Sequence, residues 1–168
     1  MGDTVYVSRD DVAGEADAEN RLAIADHRLK RNLDQLIAEV DTLDSVSVPA
    51  AAADFLDALY GFTRLLREVL IGKSMFDELC ASSPDGHVVE GLTYLRGQGV
   101  HQAVGLSKLD GRIAEYYYSH YECWAWSPDA LRTSRATSQS YQQYVADQEV
   151  RVTLDAVLRF RSSVIALL

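Results

Sequence analysis

Residues 19–43 read ENRLAIADHRLKRNLDQLIAEVDTL, and the spacing of the apolar residues in this stretch decides the fold class. The large apolar residues recur three, four or seven positions apart, at Leu22, Leu29, Leu33, Leu36, Val40 and Leu43. This period makes one apolar face on an α-helix, while charged residues such as Arg31 and Glu39 fill the other face. The pattern predicts a long first helix from about Glu19 to Leu43.

Two further helices follow from the same period. Pro49 suits the first turn of a second helix over residues 50–71, and Gly72 is expected to end that helix. The turn signal Ser82-Ser83-Pro84-Asp85-Gly86 then precedes a third helix over residues 87–104. The core stripe of the third helix is expected at Val88, Leu92, Leu95 and Gly99.

The remaining parts of the chain differ in pattern. Residues 112–126 are rich in Tyr and Trp, which favours strands, so we expect a short hairpin or an extended segment there. After a Ser/Thr-rich loop over residues 132–140, residues 139–146 and 153–167 are predicted to form a broken terminal helix pair. Residues 1–17 are predicted to be an acidic N-terminal arm, either partly paired as a short strand or mobile. These patterns predict one domain, 1–168, of the mainly α class: an up-and-down helical bundle with a short β-hairpin or extended aromatic insertion.

The bulk composition fits one globular domain, because 48% of the 168 residues are apolar and 24% are charged. The formal net charge of −9 argues against passive, sequence-independent binding of nucleic acid, and no DNA partner is expected. Two cysteines without a CxxC pair imply no disulfide framework. The sequence shows neither the pattern of a signal peptide nor an apolar run of membrane-spanning length. We therefore expect a cytoplasmic protein without a membrane partner.

Residues 92–102 read LTYLRGQGVHQ and contain the local pattern that offers chemistry. Arg96 and His101 have four residues between them, and two of those are glycines. A His can transfer a proton near neutral pH, and an Arg can neutralise a phosphate as charge develops on it. The two residue types are therefore sufficient for cleavage of a phosphodiester without a metal ion.

Helical spacing places Glu90, Tyr94, Gly97 and His101 on one face of the third helix, whereas Arg96 lies about 140° around from His101. We take Arg96 and His101 as candidate catalytic residues, and Tyr94 and Glu90 as residues that position the His or the sugar. The alternative interpretation leaves Arg96 in a surface or interface salt bridge and His101 as an ordinary histidine on the helix surface.

Two other groups of residues are weaker candidates for a functional site. His120 and Cys123 are spaced as HxxC, but a metal site needs two more ligands, and this spacing puts the pair on opposite faces of a strand. We expect no metal and no cofactor. The aromatic residues of 116–126 can stack on bases, or they can pack as a lid or a protein interface. The GxxxxGK[ST] and GxSxG motifs of common nucleotide-hydrolysing enzymes and esterases do not occur.

The all-helical layout, with Arg96-Gly97-Gln98-Gly99-Val100-His101 on the third long helix, resembles the HEPN superfamily. The mark of that family is an Arg, usually followed by Asn or another polar residue, then three residues and a His. Arg96 and His101 keep this spacing, and Gly97 stands at the usual polar position. The resemblance implies an up-and-down bundle that forms a homodimer, with the two motif helices facing across the dimer axis. Gly99 on the apolar stripe is expected to let the partner helix come near.

Active HEPN members are metal-independent ribonucleases, often toxins or phage-defence effectors, and inactive members serve as binding or scaffolding modules. The stretch from Trp124 to Leu168 is also similar to the tails of small actinobacterial and actinophage proteins. The resemblance therefore implies a ribonuclease that acts on single-stranded RNA and that has an antitoxin or another protein as a further partner. The alternative is a non-catalytic dimeric module that binds another protein.

Overall fold

A computed structural model describes residues 9–42, 44–98, 103–113, 116–130 and 138–168. These residues form six α-helices, a π-helical turn and two antiparallel strands. In chain order the elements are α1 (Arg9–Val40), α2 (Ser47–Leu65), the π-helical turn (Leu66–Leu70), α3 (Lys73–Ala81), α4 (Pro84–Gly97), β1 (Val104–Ile113), β2 (Tyr116–Trp126), α5 (Gln139–Tyr144) and α6 (Val150–Ile165). The predicted fold class, a mainly α bundle with a short β-hairpin, is confirmed.

Helix α1 starts earlier than the apolar pattern predicts. It begins at Arg9, inside the segment expected to be an acidic arm, while residues 1–8 lie outside the described residues. The added turns are rich in Ala, Asp and Glu, and acidic residues suit the positive end of the helix dipole. The apolar pattern does not extend into these turns, because residues 16–20 are exposed or only half-buried and need no apolar side chains. Further along, the predicted stripe packs against α2, and its members Leu29, Leu33, Leu36 and Val40 are buried.

Asp44 sets the start of α2. Its carboxylate accepts hydrogen bonds from the backbone N–H groups of Ser47, at 2.7 Å, and Val46, at 2.8 Å. The helix therefore begins at Ser47 rather than at residue 50. The same backbone bonds, that of Ser47 first, lower the pKa of the Asp44 carboxyl from its usual value.

The end of α2 contains an element that the sequence pattern did not predict. The helix passes into the π-helical turn, and Gly72 then ends it with a φ of +83°, a conformation that favours glycine. The predicted stop at Gly72 is thus confirmed. Helix α3 follows directly and buries Phe76 and Cys80. The Phe76 ring meets the ring of Phe160 of α6 edge-on, with centroids 6.3 Å apart.

Helix α4 is shorter than predicted. Ser83 caps its start by accepting the backbone N–H of Gly86 at 3.0 Å, and Val88, Leu92 and Leu95 are buried as expected. The helix ends at Gly97, and Val104 already belongs to β1, so the prediction of a helix to residue 104 is wrong. Glycine lowers helix propensity at the new end, and Val104 instead pairs with Trp126. Gly99 lies outside the described residues.

The predicted aromatic hairpin exists and is longer than expected. Strand β1 pairs antiparallel with β2 from Val104 opposite Trp126 to Ile113 opposite Tyr116, with one irregularity between Leu109 and Gly111. Trp124 is 4% exposed and Trp126 is fully buried, which confirms that this end of the hairpin packs on the bundle. The indole Nε1 of Trp126 donates to the hydroxyl of Thr153 on α6 at 2.6 Å.

The terminal helix pair is confirmed with shifted bounds as α5 and α6, and residues 131–137 of the predicted Ser/Thr-rich loop lie outside the described residues. Helix α5 packs against α4, and α6 packs against α4 and the hairpin. Among the helices of the described residues, none combines the length and the apolar character that crossing a bilayer requires.

Candidate functional site

Arg96 lies in the last turn of α4 and faces α2. Its Nε donates to the Asp57 carboxylate in a short hydrogen-bonded ion pair. The Arg96 side chain is 41% exposed and the Asp57 side chain 39%, so the pair sits at the surface. This contact is the surface salt bridge that the alternative interpretation of Arg96 predicted. Because the bond to Asp57 uses Nε, the two terminal amino groups of the guanidinium form no hydrogen bond within the described part of the chain.

Of the four residues predicted to share one helix face, Glu90, Tyr94 and Gly97 lie in α4. Helix α4 ends at Gly97, and Gln98 closes it as its C-terminal cap. His101 lies outside the described residues. The structure therefore places Arg96, Tyr94 and Glu90, and leaves the pairing of Arg96 with His101 a prediction.

Glu90 belongs to a polar cluster between α4 and α5. Its carboxylate accepts a short hydrogen bond from the Ser140 hydroxyl, and the Nδ1 of His87 lies 3.7 Å from the same carboxylate. The His87 Nδ1 is also 3.5 Å from the Ser140 oxygen, and the ring of His87 stacks on Tyr144 with centroids 4.6 Å apart. We call His87, Glu90 and Ser140 the α4–α5 cluster.

The α4–α5 cluster is a clamp between helices rather than a nucleophilic relay. In a serine relay the hydroxyl donates to the imidazole and the carboxylate holds the far ring nitrogen. Here the Ser140 hydroxyl donates to Glu90 directly, and both groups face the same nitrogen of His87. Ser140 carries no sequence signal of its own, because its partners His87 and Glu90 lie on another helix. The one local signal was the spacing of three between His87 and Glu90, which puts them side by side on a helix.

A cavity of about 280 Å³ lies beside α4, bounded by α3 and the end of α2. Three of the residues predicted to share a helix face, Glu90, Tyr94 and Gly97, line it together. The hydroxyls of Tyr94 and of its neighbour Thr93 are buried and have no hydrogen-bond partner within the described residues. The structure thus brings Glu90 and Tyr94 to one cavity, whereas the Arg96 side chain is bound to Asp57 on α2.

Neither cysteine of the chain has the character of a nucleophile. Burial raises the pKa of the Cys80 thiol to about 12, and the charges of Glu90 and Asp77 raise it further. Burial, followed by the charge of Glu149, also raises the pKa of Cys123. In the described residues no three His, Cys, Asp or Glu side chains stand close enough to hold a metal ion. The side chain of His120, the other member of the HxxC pair, is outside the described set.

Comparison of the chain with protein-family models, with curated proteins and with solved structures finds no match. The site contains the half-exposed Arg96 guanidinium bound to Asp57, a small cavity beside α4, and the hydrogen-bonded α4–α5 cluster.

Proposed function

We propose that this chain is a HEPN-like protein that cleaves single-stranded RNA without a metal ion. The observation that supports the proposal is the position of Arg96. Asp57 holds the guanidinium through Nε, while 41% of the Arg96 side chain is exposed and the terminal amino groups point to no partner within the described residues. Guanidinium groups bind phosphate oxygens through paired N–H donors, so Asp57 orients Arg96 toward a phosphate rather than competing for all its donors.

In the proposed reaction the ribose 2′-oxygen attacks the neighbouring phosphorus atom. His101 takes the 2′-hydroxyl proton as the general base while water protonates the departing 5′-oxygen, or it protonates that oxygen as the general acid while water takes the 2′-hydroxyl proton. The O2′–P bond forms as the P–O5′ bond breaks, which yields a 2′,3′-cyclic phosphate and a 5′-hydroxyl. Arg96 stabilises the extra charge on the phosphate oxygens in the transition state. The protein acts in the cytoplasm, as a toxin or a phage-defence effector.

The test is cleavage of single-stranded RNA by the purified full chain in EDTA and at low salt, because a protein with a net charge of −9 binds RNA weakly. Arg96→Ala and His101→Ala are each expected to lower the rate at least about 100-fold. Arg64→Ala is the matched control, since Arg64 forms an exposed ion pair with Glu68 on α2 at 2.9 Å and has no proposed role. Equal cleavage by wild type and all three variants would refute the proposal.

Asp57 is a positioning residue in this proposal, and a double-variant experiment separates that role from a structural one. Asp57→Asn is expected to lower kcat with little change in KM, because the loss falls on transition-state charge stabilisation. Combining Asp57→Asn with Arg96→Ala should add no further loss, since Asp57 acts through Arg96. Additive losses, or a loss that follows a lower melting temperature, would contradict the positioning role.

The second candidate function is a non-catalytic module that binds another protein, such as an antitoxin. The observation that favours it is that the Arg96 charge is already neutralised by Asp57 in a strongly acidic chain. In that case Arg96→Ala leaves RNA unaffected and weakens only the contact of α4 with α2. The RNA assay with its Arg64→Ala control therefore decides between the two candidates.

A further inference from the structure

The cavity beside α4 is lined by aromatic side chains from three helices. They are Tyr60 of α2, Phe76 of α3 and Tyr94 of α4. Tyr60 is 40% exposed, so part of its surface is available to a ligand. A volume of about 280 Å³ is near the lower limit for small-molecule sites, which suits a molecule of one or two rings. The aromatic lining favours a flat ring system that can stack on it.

Three charged side chains line the same cavity: Arg67 of the π-helical turn, Asp77 of α3 and Glu90 of α4. All three act on the thiol of Cys80, which also lines the cavity. Burial raises the pKa of this thiol most, Glu90 and Asp77 raise it further, and Arg67 lowers it. The three charges therefore stand near one another, with two carboxylates to one guanidinium.

The contact between Arg67 and Asp77 leaves hydrogen-bonding groups for a ligand. Nη2 of Arg67 lies 3.5 Å from Oδ1 of Asp77, which is longer than a good N–H···O hydrogen bond. The two side chains are 44% and 51% exposed. Glu90 meets Ser140 and His87 through the same oxygen, Oε2. The cavity therefore presents carboxylate acceptors beside one group of donors.

We propose that this cavity binds a guanine base. On its Watson–Crick edge guanine has one acceptor, O6, beside two donors, N1–H and the N2 amino group. The Arg67 guanidinium donates to O6, and the neighbouring Asp77 carboxylate accepts from N1–H and from the amino group through its two oxygens. Tyr60 stacks on the base.

Other ligands match these groups less well. On the same edge, adenine and cytosine have only their amino group as a donor, and uracil has only N3–H. A cavity with two carboxylates would then keep acceptors without a donor, which lowers affinity. A simple amine would satisfy the carboxylates but repel Arg67.

The base belongs to a nucleotide of an RNA strand, and this part of the inference rests on the proposed function. Gly97, which lines the cavity, directly follows Arg96, and Tyr60 lies three residues after Asp57 on α2. The ion pair of Arg96 with Asp57 therefore borders the cavity, on the side where the phosphate of the bound nucleotide would lie. A free guanine nucleotide presents the same base, so the experiment has one arm for each source.

The first arm titrates the full chain with guanosine, inosine and adenosine in a calorimeter, since these nucleosides carry no phosphate charge. Guanosine should bind at least about tenfold more tightly than adenosine. Inosine keeps O6 and N1–H but lacks the amino group, so its affinity should lie between the two.

The second arm compares two 2′-O-methyl oligoadenylate strands, one of which contains a single guanosine. Neither strand has a 2′-hydroxyl, so the proposed reaction cannot cut them. Tighter binding of the strand with guanosine is expected and gives RNA as the source of the base. Binding of guanosine together with equal binding of the two strands would overturn the RNA source and leave a free nucleotide.

Asp77→Asn should weaken guanosine binding at least about tenfold and reduce the preference for guanosine over inosine, because an amide donor replaces one acceptor oxygen. A merely structural loss would weaken both nucleosides alike. Tyr60→Ala should weaken all three nucleosides at least about fivefold without changing their order. Asp54→Asn is the matched control: it makes the same charge change at an exposed position of α2 outside the cavity, and it should leave binding unchanged.

The melting temperature of each variant checks that the fold is intact. Equal affinity for guanosine and adenosine, together with equal binding of the two strands, would overturn the guanine site. An Asp77→Asn variant with the nucleoside preference of the wild type would overturn the role of Asp77. Cleavage is not measured here, so a chain that binds guanine without cutting RNA would refute the proposed function alone.

Discussion

Replacing Gly91 by alanine should destabilise the protein, even though alanine is the better helix former. Gly91 lies inside α4, and an added Cβ would stand 2.9 Å from both the Cα and the backbone N of Tyr141 on α5. It would also stand 3.0 Å from a methyl group of Val145. Both neighbours are fully buried, so α5 has to move away from α4 to admit the methyl group. That movement also strains the bond from Ser140 to Glu90.

Gly61→Ala supplies the matched comparison that isolates this steric effect. Gly61 also lies in a helix interior, in α2, but its added Cβ meets no atom within 4 Å. Replacing glycine by alanine in a helix interior stabilises the helix by about 1 kcal/mol. Because this gain is the same in both variants, it cancels when their unfolding free energies are compared. The difference in unfolding free energy is then the overpacking cost at Gly91, about 1–3 kcal/mol.

Urea denaturation of both variants measures this difference directly. Gly61→Ala should be more stable than wild type and Gly91→Ala less stable. For a domain of this size the melting temperatures should separate by about 2–4 °C for each kcal/mol. If Gly91→Ala proves as stable as Gly61→Ala, the close approach of α4 and α5 is wrong.

Two further substitutions test contacts elsewhere in the bundle. Thr153→Val leaves the buried Nε1 of Trp126 without its acceptor and should cost about 1–3 kcal/mol of unfolding free energy, measured by urea denaturation. Asp44→Ala removes the carboxylate that caps α2, and it should lower the melting temperature at neutral pH. Because the folded-state pKa of Asp44 is lowered, its stabilisation is present above its unfolded pKa and disappears as the pH falls through the lower folded value. The melting temperatures of Asp44→Ala and wild type should therefore converge below about pH 4, whereas a constant gap would contradict the cap.

The helices that a sequence can predict are those that bury a long periodic face. The stripe from Leu29 to Val40 and the stripe from Val88 to Leu95 lie in the core as expected. Helix α3 escaped prediction because it is short and buries little more than Phe76 and Cys80, so no period develops. The end of α4 was placed too late because the apolar spacing continues past Gly97. Val104 belongs to β1 instead, because it pairs with Trp126 of β2. The spacing of apolar residues near Val104 contains no information about this distant partner.

In the candidate site, too, the sequence pattern predicts which residues share a helix face but not which distant residues they contact. Helical spacing correctly brought Glu90 and Tyr94 to one side of α4, where both line the cavity. Arg96 binds Asp57, which lies 39 residues away in the sequence. Glu90 binds Ser140, which lies 50 residues away. Packing of α2 and α5 against α4 creates those contacts. No motif in the sequence encodes them.

The most direct test of the central proposal uses one RNA oligonucleotide and its twin with a single 2′-deoxyribose at the cleaved position, both in EDTA. The proposed mechanism requires the 2′-hydroxyl as nucleophile, with Arg96 stabilising the charge on the phosphate. The wild-type chain should cut the RNA to a 2′,3′-cyclic phosphate and leave the deoxy twin intact at that position. Arg96→Ala should cut the RNA at least about 100-fold more slowly. Equal cleavage of the two substrates, or equal rates for wild type and Arg96→Ala, would contradict the account.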